Sequence, residues 1–327
     1  PEVFDTVMAY VASLQAPVGS LGDKLKVLRL RQRALMLTLH EIFAAPERTT
    51  LEELQALGFS ARMIDGFFRP FLGGIFLDPT LSTSSRMLYF VYRMLSEGDT
   101  VVPAAGMGAI PAQLAHGLPP GTVVLHTRVA GLVRRDGRVG GVRRGDGATT
   151  DAAAVVVATG AQDVAGVEAP APAVRPRDVS CLYFAAQRAP LSGAALVLDG
   201  GAAGPVINLA VMSEVSPGCA PHGQHLMCCV VMGIPETADD TVERDVRQQM
   251  RQWFGTDVVA TWRHLRTYRI PWAQFDQSPG TLESGGRSVR CEPGLYICGD
   301  HVEHASINGA MAAGRRAAEA VLADTGT

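Results

Sequence analysis

The stretch GLYICGDHVEHASINGAMAAGRRAAEAVL, residues 294–322, decides the fold. A short apolar run ends in Gly299-Asp300, a polar loop follows, and small residues then open a helix after Ser306. A carboxylate at the end of such a strand lies at the carboxyl edge of a sheet, where ligands of α/β folds bind. The first turn of the helix presents free N–H groups and the positive end of its dipole. By pattern alone, half of a nucleotide site and a tightly packed strand–helix unit are about equally favoured.

The composition describes a globular protein. The chain has 327 residues, of which 47% are hydrophobic and 19% are charged, so it is long enough for one large core or two ordinary ones. Its net charge of −3 gives no electrostatic reason to expect nucleic acid as a partner. Nucleic acid is therefore excluded from the expected partners.

The distribution of cysteines and of apolar residues along the sequence indicates where the protein is located. Six cysteines are scattered without a C-x-x-C pair, several of them in apolar runs, which favours buried thiols in a reducing compartment. The sequence contains neither an uncharged apolar stretch of transmembrane length nor a signal peptide. We therefore predict a cytoplasmic protein.

Residues 1–105 are predicted to be mostly helical. PEVFDTVMAYVASLQ reads as one helix, and a second runs from a Ser20 cap to Phe43. TTLEELQALG predicts a capping box from Thr50 to Glu53 and an end at Gly58. The next two predicted helices are SARMIDGFFRPFLGGIFL, broken by Pro70 and Gly73-Gly74, and SSRMLYFVYRMLSEG, closed at Gly98. Arginines alternate with leucines over residues 25–43, so contact with a membrane surface stays open beside an ordinary lid or domain-face helix.

The middle of the chain changes character twice. Residues 106–163 predict a short helix, then an antiparallel meander with turns at Asp136-Gly137 and Asp146-Gly147. The meander closes with VVVATG, residues 155–160, typical of a strand buried on both faces of a parallel sheet. Residues 164–275 predict an antiparallel sheet with one amphipathic helix, and residues 276–327 return to the quoted strand and helix.

The quoted stretch resembles the C-terminal flavin-binding signature of the superfamily of FAD-dependent amine oxidases, phytoene desaturases and protoporphyrinogen oxidases. The resemblance rests on GLYICGD followed by SINGAMAAGRRAAEAVL and covers nearly the whole chain. PAAGMGAIPAQLA, VVVATG and WRHLRTYRIPWA precede it in the order that the family has. It implies an α/β fold of the FAD/NAD(P)-binding, glutathione-reductase-like type, with a substrate domain of helices and antiparallel sheet.

The resemblance also implies the cofactor and its contacts. FAD would be held by Gly299 and Asp300 on the ribityl or pyrophosphate side. The isoalloxazine edge would face the helix start, residues Ser306, Ile307, Asn308 and Gly309. Val129 would meet adenine through its backbone, and Thr159 and Gly160 would pass close to the dinucleotide.

One part of the family pattern is missing. No G-x-G-x-x-G occurs, because Gly106-Met107-Gly108 has Pro111 at the third glycine position. The chain also begins with Pro and reads at once as a helix. We therefore expect an N-terminally truncated flavoprotein, whose pyrophosphate-binding half lies in a missing N-terminal partner segment, and weak FAD binding by this chain alone.

The predicted chemistry is oxidation or desaturation of a hydrophobic small molecule by hydride transfer to flavin N5. The resemblance implies a Lys near N5 in the amine oxidases, but residues 164–290 contain no Lys. A flavin amine oxidase is the first alternative. A flavin-free binding module, or half of a split flavoprotein, is an alternative of another class.

No catalytic residue is assigned, but candidates can be named. His301, Glu303 and His304 crowd one short loop, which favours a polar loop over a metal site, and either His could orient substrate or protonate reduced flavin. Trp272 is the third candidate. Phe71, Tyr89, Trp272 and Phe275 are the predicted aromatic lining of the substrate pocket.

Overall fold

The protein is described here by a computed structural model, over residues 18–170, 173–201, 204–282 and 286–326. The predicted helix PEVFDTVMAYVASLQ lies outside the described residues. The chain divides into two compact units. Unit 1 comprises residues 1–110 and 177–274, and unit 2 comprises residues 111–176 and 275–327, whereas the predicted boundaries follow residues 105, 163 and 275.

Residues 18–116 form a series of helices, five of which start at a Ser or Thr side-chain cap. Those of unit 1 are α1 (Leu21–Met36), α2 (Leu39–Ala44), α3 (Thr50–Ala56), α4 (Ala61–Met63), α5 (Arg69–Phe76) and α6 (Ser85–Glu97). Helix α7 (Ala109–His116) follows, and most of it belongs to unit 2. The prediction of one helix from Ser20 to Phe43 is wrong. The chain is extended at Leu37, because Thr38 starts α2 with a capping box of its own to Glu41.

The capping box of α3 lies one residue earlier than predicted. Thr49 and Glu52 form it, not Thr50 and Glu53. Thr50 instead donates its hydroxyl to the Thr83 carbonyl at 2.8 Å, inside the unit.

The predicted break at Pro70 is also wrong. A π-helical turn, Ile64–Phe68, joins α4 to α5, and Pro70 sits in the first turn of α5, where its missing N–H costs little. The two glycines continue the helix and allow close contacts, since a Cβ on Gly74 would lie 2.5 Å from the Asn208 side chain. Helix α6 starts after Ser84 and ends before Gly98, as predicted.

A five-stranded antiparallel sheet forms the rest of unit 1, in the order β6-β7-β8-β5-β9. Its strands are β5 (Pro176–Ala186), β6 (Leu196–Leu198), β7 (Val206–Val211), β8 (His225–Met232) and β9 (Arg263–Phe275). Helix α10 (Asp239–Phe254), between the short helices α9 (Met212–Val215) and α11 (Thr256–Ala260), covers one face. Val246 and Met250 of α10 join Leu182 and Phe184 of β5 in that core.

Unit 2 holds the predicted meander and a small mixed sheet. The meander is β1 (Val129–Arg135), β2 (Arg138–Arg144) and β3 (Thr149–Asp151). Positive φ angles at Asp136 and Gly137 make the first turn, as expected of an Asp-Gly hairpin. The second sheet has the order β10-β11-β4, from β4 (Val155–Val157), β10 (Arg290–Glu292) and β11 (Leu295–Ile297). In it, β4 and β11 are parallel and β10 and β11 are antiparallel. Helix α8 (Ala161–Val164) follows β4, and α12 (Ile307–Thr325) follows β11.

Strand β4 runs parallel to β11, with Val155 opposite Leu295 and Val157 opposite Ile297. It is an edge strand of the described sheet, and the Val156 side chain is 42% exposed. The prediction that β4 is buried on both faces is therefore wrong for the described residues.

Candidate active site

The carboxyl edge of the parallel pair collects several of the predicted residues. Because β4 and β11 are parallel, Thr159-Gly160 and Gly299-Asp300 leave the sheet at the same edge. The Cys298 N–H donates to the Val157 carbonyl at 3.0 Å. A Cβ added to Gly299 would lie 3.6 Å from the Thr159 carbonyl oxygen, so the two loops adjoin.

Gly299 and His301 are packed against each other. Gly299 has a φ of +149°, and a Cβ at this position would lie 2.6 Å from Cε1 of His301. The imidazole is 2% exposed, and neither ring nitrogen has a hydrogen-bond partner in the described part of the chain. The Asp300 carboxylate lies 3.8 Å from Nδ1, beyond hydrogen-bond distance. Burying ring nitrogens without hydrogen bonds costs free energy. A polar group from outside the described residues that bonded to this ring would recover that cost.

Ser306 fixes the start of α12. Its hydroxyl accepts from the Gly309 N–H at 3.0 Å and lies 3.0 Å from Nδ1 of His304. A Cβ on Gly309 would lie 2.1 Å from the His304 carbonyl oxygen, so only glycine permits this close loop. Ile307 and Asn308 are exposed, and N–H groups in a first helical turn have no acceptor inside the helix.

The loop between Asp300 and Ser306 is held from several directions. The Ala305 N–H donates to the Gln277 side chain at 2.9 Å, and Glu303 forms an ion pair with Arg316. Burial lowers the pKa of His304 from its ordinary value, although Glu303 and Asp300 act in the opposite direction. His304 is therefore neutral at pH 7. Within the described ranges, no group of three or more His, Cys, Asp or Glu side chains is close enough to hold a metal ion.

Val129 lies in the other sheet of unit 2. It begins β1 opposite Arg144, and the Gly145 N–H donates to the carbonyl of Arg128 beside it. The structure thus joins Thr159, Gly160, Gly299 and Asp300 at one edge and places Val129 at the start of the meander.

Trp272 has an unusual backbone conformation. Its φ is +55°, which is costly for a bulky L-residue, and its N–H donates to the Asp178 carboxylate at 2.9 Å. The neighbouring Gln274 donates to the Ile75 carbonyl at 2.8 Å and ties β9 to the end of α5. The side chain of Trp272 is partly buried.

The other predicted pocket aromatics are spread over the units. Phe71 stacks on Phe67 with 5.4 Å between ring centroids. Tyr89 donates its hydroxyl to Glu53 and lies under the Arg33 guanidinium, inside the helical cluster of unit 1. Phe275 is buried in unit 2.

Sequence reasoning missed a groove of about 520 Å³ on the face of the five-stranded sheet opposite α10. Its lining comes from three neighbouring strands: Cys181 and Tyr183 of β5, Leu226 of β8, and Leu265, Arg266, Tyr268 and Ile270 of β9. The alternation in SCLYFAA was the available signal, since Leu182 and Phe184 alternate with Cys181 and Tyr183. The sequence did not show that this second face stays open.

A family model of flavin-containing amine oxidoreductases matches residues 3–322. The chain belongs to this family. The resemblance inferred from GLYICGD and SINGA is therefore confirmed, and a flavin is the cofactor that the family implies.

Several solved structures share the fold of this chain. An oxidoreductase from Methanosarcina mazei matches with a TM-score of 0.63 at 15% identity, covering 94% of this chain and 73% of that one. A putative protoporphyrinogen oxidase from Exiguobacterium sp. 255-15 matches with a TM-score of 0.68 at 15% identity, covering 94% and 74%. Reduced UDP-galactopyranose mutase matches with a TM-score of 0.59 at 13% identity, covering 94% and 73%. Comparison with curated proteins gave no significant match.

The residues at the carboxyl edge fit a flavin. The first turn of α12 offers N–H donors for an anionic or carbonyl edge, and Asp300 offers acceptors for hydroxyl groups. Gly299 lets the His301 ring pack against the backbone beside them. The unpartnered ring of His301 adds a polar group that the described chain does not satisfy. As for membranes, no helix in the described ranges is both long and apolar enough to span one.

Proposed function

We propose that this flavin oxidoreductase binds FAD and oxidises or desaturates a lipophilic small molecule. The observation that carries the proposal is the pairing of Gly299-Asp300 with the exposed first turn of α12 at one sheet edge. FAD would supply the acceptor for a hydride, at N5 of its ring.

In this proposal, the chain's own residues bind and orient the cofactor. Asp300 accepts hydrogen bonds from hydroxyl groups of the sugar chain, and the N–H groups of Ile307 and Asn308 donate to the ring edge. Thr159 and Gly160 flank the dinucleotide, and Val129 contacts adenine through its backbone. Ser306 and Gly309 act through the loop, because they set the start of the helix.

His304 is neutral at pH 7, so it can exchange a proton or a hydrogen bond without carrying positive charge at the site. His301 is enclosed more tightly and is suited to one fixed hydrogen bond. We assign both as positioning residues.

Flavin binding is the first test. We expect the purified chain alone to bind added FAD weakly, because the family's G-x-G-x-x-G segment is missing from it, and to shift the absorbance spectrum of FAD at high protein concentration. Asp300→Ala should weaken FAD affinity at least about tenfold, since hydrogen bonds to a charged group contribute about 1.5–3 kcal/mol. Asp257→Asn, an exposed Asp on α11, is the matched control and should leave affinity unchanged. An FAD spectrum that does not change at any protein concentration would contradict the proposal for this chain and favour the flavin-free or split-protein alternative.

An amine oxidase is the second candidate, and the description of the family model favours it. The absence of Lys from residues 164–290 argues against it. Hydrogen peroxide release from a panel of lipophilic amines, but not from their uncharged analogues, would replace our proposal by this one.

A further inference from the structure

The groove described above has the size of a small-molecule site. Its volume of about 520 Å³ lies within the range of about 300–1,000 Å³ that ligand pockets occupy. It lies on the open face of the sheet, opposite the side chains of Leu182 and Phe184, which are fully buried under α10. Filling it therefore disturbs no packed core.

The groove is lined mainly by apolar and aromatic side chains that remain exposed. Leu265, Tyr268 and Ile270 of β9 are each about two-fifths exposed. The rings of Tyr183 and Tyr268 meet edge to face, with 5.7 Å between centroids. A contiguous exposed apolar surface of this kind marks a binding site, and its concave shape and small volume favour a small molecule over a protein.

One cation borders this apolar surface. The Arg266 guanidinium lies 4.9 Å from the centre of the Tyr268 ring. Two other basic groups of β9 have acidic partners: Arg269 pairs with Asp239 at 2.8 Å, and His264 lies 3.2 Å from Glu243. Arg266 has no ion pair within the described part of the chain. An arginine held against an aromatic ring keeps its planar donor edge available for a carboxylate.

A neutral tyrosine also lines the groove. Burial raises the pKa of Tyr183 from its ordinary value, and the neighbouring Cys228 thiol acts in the same direction. The phenol is therefore protonated at pH 7, and its hydroxyl hydrogen-bonds to Cys228, so Tyr183 lines the groove as a neutral aromatic side chain beside Cys181.

We infer that the groove binds a lipophilic carboxylic acid, with the carboxylate on Arg266 and the hydrocarbon across Tyr183, Leu265 and Ile270. This deepens the proposed function by naming the substrate class, and it rests on that function only in taking the occupant to be the substrate. A lipophilic amine is disfavoured, because its ammonium group would approach an uncompensated guanidinium.

The test uses Cys181 as a reporter inside the groove. The purified full chain is alkylated with iodoacetamide, with or without dodecanoate below its micelle-forming concentration, and modification is measured on each cysteine peptide by mass spectrometry. Dodecanoate should slow alkylation of Cys181 and leave that of Cys291, an exposed thiol in unit 2, unchanged. Dodecanol and dodecylamine should need at least about tenfold higher concentrations, the effect of one lost charge-assisted hydrogen bond.

Variants of Arg266 identify the group that recognises the acid. Arg266→Gln should remove the preference for dodecanoate over dodecanol, and Arg266→Lys should keep part of it. Arg263→Gln changes an exposed arginine of β9 outside the groove lining and should behave as wild type. Fluorescence of a conjugated-polyene fatty acid, titrated into the same proteins, gives a second measurement that is independent of thiol reactivity.

Several outcomes would overturn the inference: equal protection by acid and alcohol in the wild type, an unchanged preference in Arg266→Gln, or no binding in either measurement. None of these measurements requires flavin turnover. Binding of the acid without any flavin-dependent oxidation would therefore contradict the proposed function and still support the inferred acid site. Oxidation of a neutral lipophile without acid binding would do the reverse.

Discussion

At the residue scale, Asp23 joins two helices of unit 1. Its buried carboxylate accepts hydrogen bonds from the N–H and hydroxyl groups of both Ser20 and Ser60, at 2.8–2.9 Å. Burial alone would raise the pKa of Asp23, but these four bonds together lower it well below its usual range. The carboxylate therefore stabilises the starts of both α1 and α4.

We expect Asp23→Ala to lower the free energy of unfolding by about 2–3 kcal/mol, since it leaves buried donors without an acceptor. Urea unfolding measures this, with Asp99→Ala, an exposed aspartate, as the control. Because the folded pKa is depressed, the contribution is complete above the unfolded pKa of about 3.9 and is lost as pH falls toward the folded value. The stability gap between wild type and Asp23→Asn should thus narrow below about pH 4; a constant gap would contradict this account.

The backbone strain at Trp272 can be measured by comparing its replacement by glycine with its replacement by alanine. Its φ of +55° costs an L-residue about 1–2 kcal/mol, while glycine adopts it freely. Trp272→Gly should therefore be more stable than Trp272→Ala by about 1 kcal/mol in thermal or urea unfolding. Ile270, on the same strand but without a positive φ, should show the opposite order. If both positions favour alanine, the left-handed conformation of Trp272 is not maintained in solution.

At the element scale, two glycines of α12 should respond in opposite directions. Gly309→Ala places a methyl group against the His304 carbonyl oxygen, so the loop must move and the melting temperature should fall. Gly314 has open space around it, and Gly314→Ala should stabilise the helix by about 0.5–1 kcal/mol. Calorimetry of the two variants compares them directly, and equal shifts would refute the close contact at Gly309.

Elements were predictable where local chemistry decides them. Turns at Asp-Gly pairs identified the meander of unit 2, and the run SSRMLYFVYRMLSEG with Gly98 at its end identified α6. Prediction failed at the cap of α3 because a neighbour in space decided it: Thr50 bonds to Thr83 and leaves the cap to Thr49. It also failed at Pro70, where a π turn carries the helical path past the proline. The groove escaped for the same reason, because its lining belongs to three strands that are distant in sequence.

At the scale of the whole molecule, apolar side chains are divided between a packed face and an open face of one sheet. Phe184 is fully buried under α10, and Tyr268 is exposed on the other side. Phe184→Ser should cost about 3–5 kcal/mol of stability, as large-to-small core changes do. Tyr268→Ser should cost less than about 1 kcal/mol and reduce the fluorescence of bound anilinonaphthalene sulfonate. Comparable destabilisation by the two variants would mean that the open face is covered in solution.

The order of the chain has a consequence for biosynthesis. Strand β4 is made early, but its parallel partner β11 is made roughly 140 residues later, after the whole sheet of unit 1. Closing a loop of that length costs about 4 kcal/mol of chain entropy beyond a constant, which delays pairing. Until Ile297 has been synthesised and has left the ribosome, the valines of β4 form an unpaired strand edge. Such an edge is prone to aggregation and is a binding site for chaperones. Slower translation or cooler expression should therefore raise the yield of correctly folded protein.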